Sequence, residues 1–204
     1  MTILDIPAVQ RTDPHWGFWD FVETRPEKEK WELIEGQIVM QAQPDLVHQF
    51  IASTLQRPLD DGLERTAASR VTLQNPALDL RPAREGHIYV PDVAVLDLAD
   101  IEDGLNVTQR CYLASEILAP SDRRTLPGTR QKKIDVKLAG YEALPHCEAV
   151  LLIELNSRAV TLSVRTGEIW TRTRLTGDDR LVLPGFGLDC AVADLYVHTP
   201  VAQR

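Results

Sequence analysis

Residues 87–98, HIYVPDVAVLDL, carry apolar side chains on both alternating faces. Ile88, Val90, Ala94 and Leu96 fall on one face, and Tyr89, Val93 and Val95 on the other. That pattern predicts a central strand covered on both sides, since a strand with one wet face alternates apolar with polar. CYLASEIL (111–118) and EAVLLIEL (148–155) have the same character and predict two further buried strands. WELIEGQIVM (31–40) predicts two short strands turning at Glu35-Gly36. Asp45 is a suitable N-cap for a helix whose face is Leu46, Val47, Phe50, Ile51, Thr54 and Leu55, and Pro58 is expected to end it. Residues 66–80 read as extended, and 130–144 as a helix with Ile134, Leu138 and Tyr141 on one stripe. AVTLSVRTG, EIWTRTRLTG and RLVLPGFGLDC read as a C-terminal strand meander with Gly turns. The elements predict an α/β (α+β) protein: one mixed central sheet flanked by helices, with an N-terminal hairpin.

Composition narrows the class. A chain of 204 residues with 25% charged residues suits one domain that needs no staple to fold. Cys111, Cys147 and Cys190 are odd in number and form no CxxC pair, so buried free thiols in a reducing compartment are expected. No run approaches the ~20 apolar residues of a membrane span, and the start lacks a basic stretch ahead of an apolar one. A cytoplasmic protein without a membrane partner is the expectation. Net charge is −8, which argues against sequence-blind DNA binding driven by overall charge. Locally the balance reverses. Between Asp122 and Lys137, Arg123, Arg124, Arg130, Lys132, Lys133 and Lys137 outnumber two aspartates. This segment is either a nucleic-acid contact or a solvated loop and helix face.

Three polar residues interrupt apolar patterns. Asp92 shares a strand face with Val90 and Ala94, and Glu116 one with Tyr112 and Ala114, near the strand's end. Buried carboxylates need a partner cation or donor. Two at adjacent strand ends could hold Mg²⁺ or Mn²⁺, which favour oxygen ligands. The helical period places Lys137 in the stripe of Ile134, Leu138 and Tyr141, aimed inward. Carboxylates, a divalent ion and a lysine suit phosphodiester hydrolysis. A structural Asp–Glu–Lys network accounts for the same residues.

The run PDVAV (Pro91 to Val95), then EILAPSD (Glu116 to Asp122), then KLAGY (Lys137 to Tyr141) resembles the Uma family, within the PD-(D/E)XK nuclease superfamily. The hairpin WELIEGQIVM, the helix from Pro44 to Leu55 with His48-Gln49, and LPGFGLDCAVADLY (Leu183 to Tyr196) extend the likeness to about residues 28–197. Residues 1–27 would then be an N-terminal extension and 198–204 a C-terminal tail. The resemblance implies a restriction-endonuclease-like core with a metal site at one sheet edge. Asp92 and Glu116 would ligate the metal, joined by the backbone carbonyl of Ile117. The superfamily's lysine position is Leu118 here, so Lys137 from the following helix would replace it, with Lys133 as a stand-in. His48 and either Glu32 or Glu35 match N-terminal polar positions that can approach the metal.

The resemblance thus implies a Mg²⁺- or Mn²⁺-dependent DNA endonuclease, with Arg123, Arg124, Arg130 and Lys132 as nucleic-acid contacts. A homodimer would suit cleavage of two strands. The alternative is a non-catalytic nucleic-acid-binding or assembly module that keeps the fold, because fold does not fix function.

Overall fold

The computed structural model describes residues 16–26, 29–102 and 107–203; the other positions, including most of the expected N-terminal extension, lie outside the described residues. Helix α1 (Trp16–Glu23) precedes a hairpin of β1 (Trp31–Ile34) and β2 (Gln37–Met40). The turn residues Glu35 and Gly36 have φ of 51° and 70°, both left-handed, as a two-residue hairpin turn requires. Helix α2 (Leu46–Thr66) follows, capped by the Asp45 carboxylate, which accepts from the His48 N–H at 2.8 Å. Next come β3 (Arg70–Gln74), β4 (Ala77–Asp79), β5 (Ile88–Tyr89), β6 (Val93–Asp97), β7 (Val107–Thr108) and β8 (Leu113–Leu118). Helix α3 (Lys133–Ala143) leads into β9 (Ala149–Glu154), β10 (Ala159–Thr166) and β11 (Ile169–Thr176). A last hairpin joins β12 (Arg180–Leu183) to β13 (Leu188–Ala191).

The central sheet has the order β11-β10-β9-β8-β6-β3. Only β8 and β9 run parallel in it, and α3 is the crossover such a pair requires. Both faces are covered. Ile51, Leu55 and Leu59 of α2 pack with Val93, Val95, Leu113 and Ile117 on one side. Ile134, Leu138 and Tyr141 of α3 pack with Ala94, Ala114 and Val150 on the other. This is why β6, β8 and β9 read as near-continuous apolar runs.

Three features depart from the pattern-based expectation. The run 87–98 is not one strand. It breaks at Pro91-Asp92, and β5 pairs in a second sheet, β2-β1-β5-β4-β7, while β6 joins the central one. Pro91 cannot donate to a ladder, which favours the change of sheet there. The expected meander likewise divides: β10 and β11 extend the central sheet, whereas β12 and β13 pair only with each other. Finally, α2 runs straight through Pro58 to Thr66. An interior proline costs a helix about 3 kcal/mol. Leu59 and Leu63 beyond it are fully buried, each worth about 1.5–3 kcal/mol, so burial outweighs the proline. Gly62 permits that docking: a Cβ there would lie 2.3 Å from the Phe186 carbonyl oxygen. Cys111 and Cys147 are buried free thiols as expected, but Cys190 is only half-buried.

Immediately before β5, His87 is buried, with Nδ1 2.7 Å from the Tyr89 hydroxyl. Burial, reinforced by the Arg84 charge, pushes its pKa down to about 4. The folded state therefore binds fewer protons than the unfolded chain between about pH 4 and 6.5, and stability falls as pH drops through that window. Urea unfolding is expected to lose up to about 3 kcal/mol from this group between pH 7 and pH 4. A His87→Gln variant should show a correspondingly flatter profile; an unchanged slope would mean that His87 is not the titrating group.

Candidate active site

The strand break at Pro91-Asp92 places Asp92 where the two sheets part. Its N–H donates to the Ser115 carbonyl at 3.0 Å, anchoring it beside the end of β8. Its Oδ2 accepts from the Ile117 N–H at 2.7 Å and lies 3.2 Å from His48 Nε2. Asp92, His48, Glu116, Ile117, Asp122, Arg124, Lys133 and Lys30 all line one cleft of about 350 Å³. Burial works against a charge on His48, but the Asp92 carboxylate beside it holds the imidazole pKa above its usual value.

Behind the cleft wall lies an ion network. Lys137 Nζ, with a side chain 1% exposed, sits 2.5 Å from Glu116 Oε1 and 2.6 Å from Glu32 Oε1. The attraction of both carboxylates holds the ammonium in place. The Tyr141 hydroxyl donates to Glu116 Oε1 as well. Glu32 is fully buried; its Oε1 accepts from the Val90 N–H at 3.0 Å, and Lys133 Nζ lies 3.2 Å from its Oε2. Lys133 also reaches Asp122 Oδ1 at 3.3 Å.

The two buried glutamates differ in their electrostatics. Burial drives the Glu116 pKa up to about 7, and the Asp92 and Glu32 carboxylates add to the rise against the pull of Lys137. Burial also opposes the charge on Glu32, yet Lys137 and Lys133 together bring its pKa down to about 2. Lys137 is desolvated too, but Glu116 and Glu32 keep it charged, well above the usual lysine range.

The structure therefore brings together Asp92, Glu116, Ile117, His48, Glu32, Lys133 and Lys137. It leaves Glu35 out. That residue is at the hairpin tip, paired with Arg84 and 3.8 Å from His87. Glu35 is exposed, as on a solvated hairpin face, whereas Glu32 points inward. β1 is covered twice, Trp31 and Leu33 packing with α1 while Ile34 joins the α3 cluster. In the basic segment, Arg123 is tied to Glu154 at 2.5 Å. Arg124, Arg130 and Lys132 are exposed, with no carboxylate partner among the described residues. Lys30 was not marked by the sequence pattern. It stands just before β1, and only its position two residues ahead of Glu32, on the same face by strand alternation, signals it.

A mixed sheet between two helices, with acidic residues meeting where strands end, is the architecture of the restriction-endonuclease-like nucleases. The chain belongs to the Uma2 family, described as "Putative restriction endonuclease", whose model matches residues 19–193. A solved structure described as "a putative nuclease belonging to DUF820 from Anabaena variabilis ATCC 29413" has the same fold. It aligns with a TM-score of 0.62 at 17% identity, over 86% of this chain and 94% of that one. No curated protein matches the chain. Family and fold support a nuclease function. No helix among the described residues is long and apolar enough to cross a membrane.

Proposed function

We propose that the protein is a divalent-metal-dependent endonuclease that hydrolyses DNA phosphodiester bonds in this cleft. The observation that carries the reading is that Asp92 and Glu116, from different strands, face one cleft with an oxygen each left over. Asp92 Oδ1 and Glu116 Oε2 have no hydrogen bond among the described residues, while their partner oxygens are fixed by protein donors. An all-oxygen donor set fits a hard cation such as Mg²⁺ or Mn²⁺. Among the described residues no three His, Cys, Asp or Glu side chains converge as a metal cluster. The third protein ligand would be the Ile117 carbonyl, as the family resemblance implies, with water completing the shell.

When bound, the cation supplies charge stabilisation for the hydrolysis and activates water. The remaining work belongs to the chain. The Ile117 N–H and His48 orient Asp92, and Lys137 with Tyr141 orients Glu116. Lys133 and Lys137 offset the charge of Glu32, so the acidic centre folds without gathering three uncompensated carboxylates. Arg124 lines the cleft, and Arg130 and Lys132 follow it along the same segment, where phosphates of a bound duplex could be met. Two sites in a homodimer would serve two-strand cleavage.

The test is nicking of supercoiled plasmid in Mg²⁺ or Mn²⁺. Cleavage by the parent is expected, with loss in EDTA and in Asp92→Ala. A parent that neither cleaves nor binds Mn²⁺ by calorimetry would sink the proposal. One observation favours a second reading, a non-catalytic nucleic-acid-binding module: the Lys137 ammonium already supplies a positive charge between Glu32 and Glu116, with the Tyr141 hydroxyl on Glu116. Duplex binding without cleavage under any divalent ion is its signature.

A further inference from the structure

The nuclease reading leaves open which cation of the cleft meets a substrate phosphate. Three lysines surround Asp92 and Glu116, and two of them are engaged. Lys137 is 1% exposed and held between two carboxylates. Lys133 is also buried and lies between Glu32 and Asp122. Lys137 cannot turn to a phosphate without leaving Glu116 without its cation, and the charge of Lys133, though on the cleft lining, is already shared between Glu32 and Asp122.

Lys30 is different. It is half-buried on the cleft wall, and its Nζ donates to the Asn75 side-chain oxygen at 2.6 Å. Asn75 is a neutral amide, and among the described residues no carboxylate lies within ion-pair distance of the Lys30 ammonium; Asp92 attracts it only from farther off. Two of the three ammonium donors remain free for a ligand. The mount is rigid on both sides. The Lys30 carbonyl accepts from the Gln41 N–H at 2.9 Å, and the Gln41 side chain donates to the Val90 carbonyl at 2.9 Å. Asn75 has φ of 56°, a left-handed conformation that asparagine tolerates, and its N–H donates to the Asp92 carbonyl at 3.3 Å. Lys30 is thus fastened through Asn75 to the main chain of the residue proposed as a metal ligand.

We propose that Lys30, alongside the exposed Arg124 of the same cleft, contacts a phosphate of the nucleic-acid substrate, with Asn75 as its positioning residue. On this assignment Lys137 is a positioning residue behind Glu116. The proposal rests on the nuclease reading and refines which lysine touches the substrate.

The experiment measures binding of a short fluorescein-labelled DNA duplex by anisotropy in Ca²⁺ across a salt series, together with plasmid nicking in Mg²⁺ and Mn²⁺ calorimetry. Lys30→Gln and Lys30→Met are expected to weaken duplex binding roughly 5- to 10-fold at low salt and to lower the log–log salt slope by about one. Lys30→Arg should restore the slope. Both neutral variants should bind Mn²⁺ like the parent and raise KM more than they lower kcat. Asn75→Ala should weaken binding with the slope intact, because the charge remains. Parental affinity and slope in the neutral Lys30 variants would overturn the proposal even if the parent is an active nuclease. Loss of Mn²⁺ binding in them would also overturn it, since Lys30 would then act through the metal site. A parent that neither binds duplex nor nicks plasmid would remove the nuclease reading and this proposal together.

Discussion

Lys137→Met is expected to lower the unfolding free energy by about 3–5 kcal/mol, the cost of breaking a buried ion pair by removing one partner. The size follows from what is left behind. Glu32 is fully buried and Glu116 is 6% exposed, so neither carboxylate can recover its hydration when the ammonium disappears. Lys133 would remain near Glu32 Oε2 at 3.2 Å, but it is shared with Asp122 and no comparable cation stands beside Glu116. Methionine fills nearly the same volume as the lysine stem, so the loss is of charge rather than of packing. Urea unfolding should show a lower midpoint with an unchanged denaturant slope, the sign of altered stability within the same fold. Adding Glu116→Gln to Lys137→Met should recover part of the loss, because the second change removes the carboxylate left without a cation. A loss below about 1 kcal/mol would mean that the network behaves like an exposed one.

What the sequence revealed depended on contrast with an apolar background. Asp92, Glu116 and Lys137 each interrupt a long apolar pattern, and the structure brings all three to one site. Lys30 and Glu32 are nearer the hairpin, where a four-residue strand offers too few alternations to decide which face is inside. Both faces are in fact covered, a consequence of α1 and α3 packing from opposite sides, and tertiary placement of that kind leaves no local signal. The same limitation explains Pro58. Local propensity stops the helix there, whereas the burial of Leu59 and Leu63 against the sheet carries it onward. Charge alone was a poor guide at Arg123, whose guanidinium is taken up by Glu154 from a strand 31 positions away. The central sheet was legible because strands buried on both faces need apolar residues at every step. The second sheet, built from strands as short as β5 and β7, carries no such run.

Glu116→Gln separates chemistry from folding, and its expected result is the reverse of that for Lys137→Met. The amide is nearly isosteric. Its oxygen can take the place of Glu116 Oε1 toward Lys137 and the Tyr141 hydroxyl, and Lys137 keeps Glu32 at 2.6 Å as a charged partner. Stability should therefore change little, since the desolvation of one buried carboxylate is relieved as its attraction to Lys137 is lost. The amide nitrogen then takes the position of Oε2 at the cleft, and an N–H donor cannot ligate a hard cation. If Glu116 holds the metal, Mn²⁺ affinity should fall and plasmid nicking should drop on the order of 10³-fold, equivalent to several kcal/mol of lost charge stabilisation. Asp92→Asn should behave alike by the same argument from the other strand. A Glu116→Gln protein that unfolds at the parental urea concentration and cleaves at the parental rate would show that the carboxylate serves the Lys137 network alone, and the metal would have to be held elsewhere in the cleft.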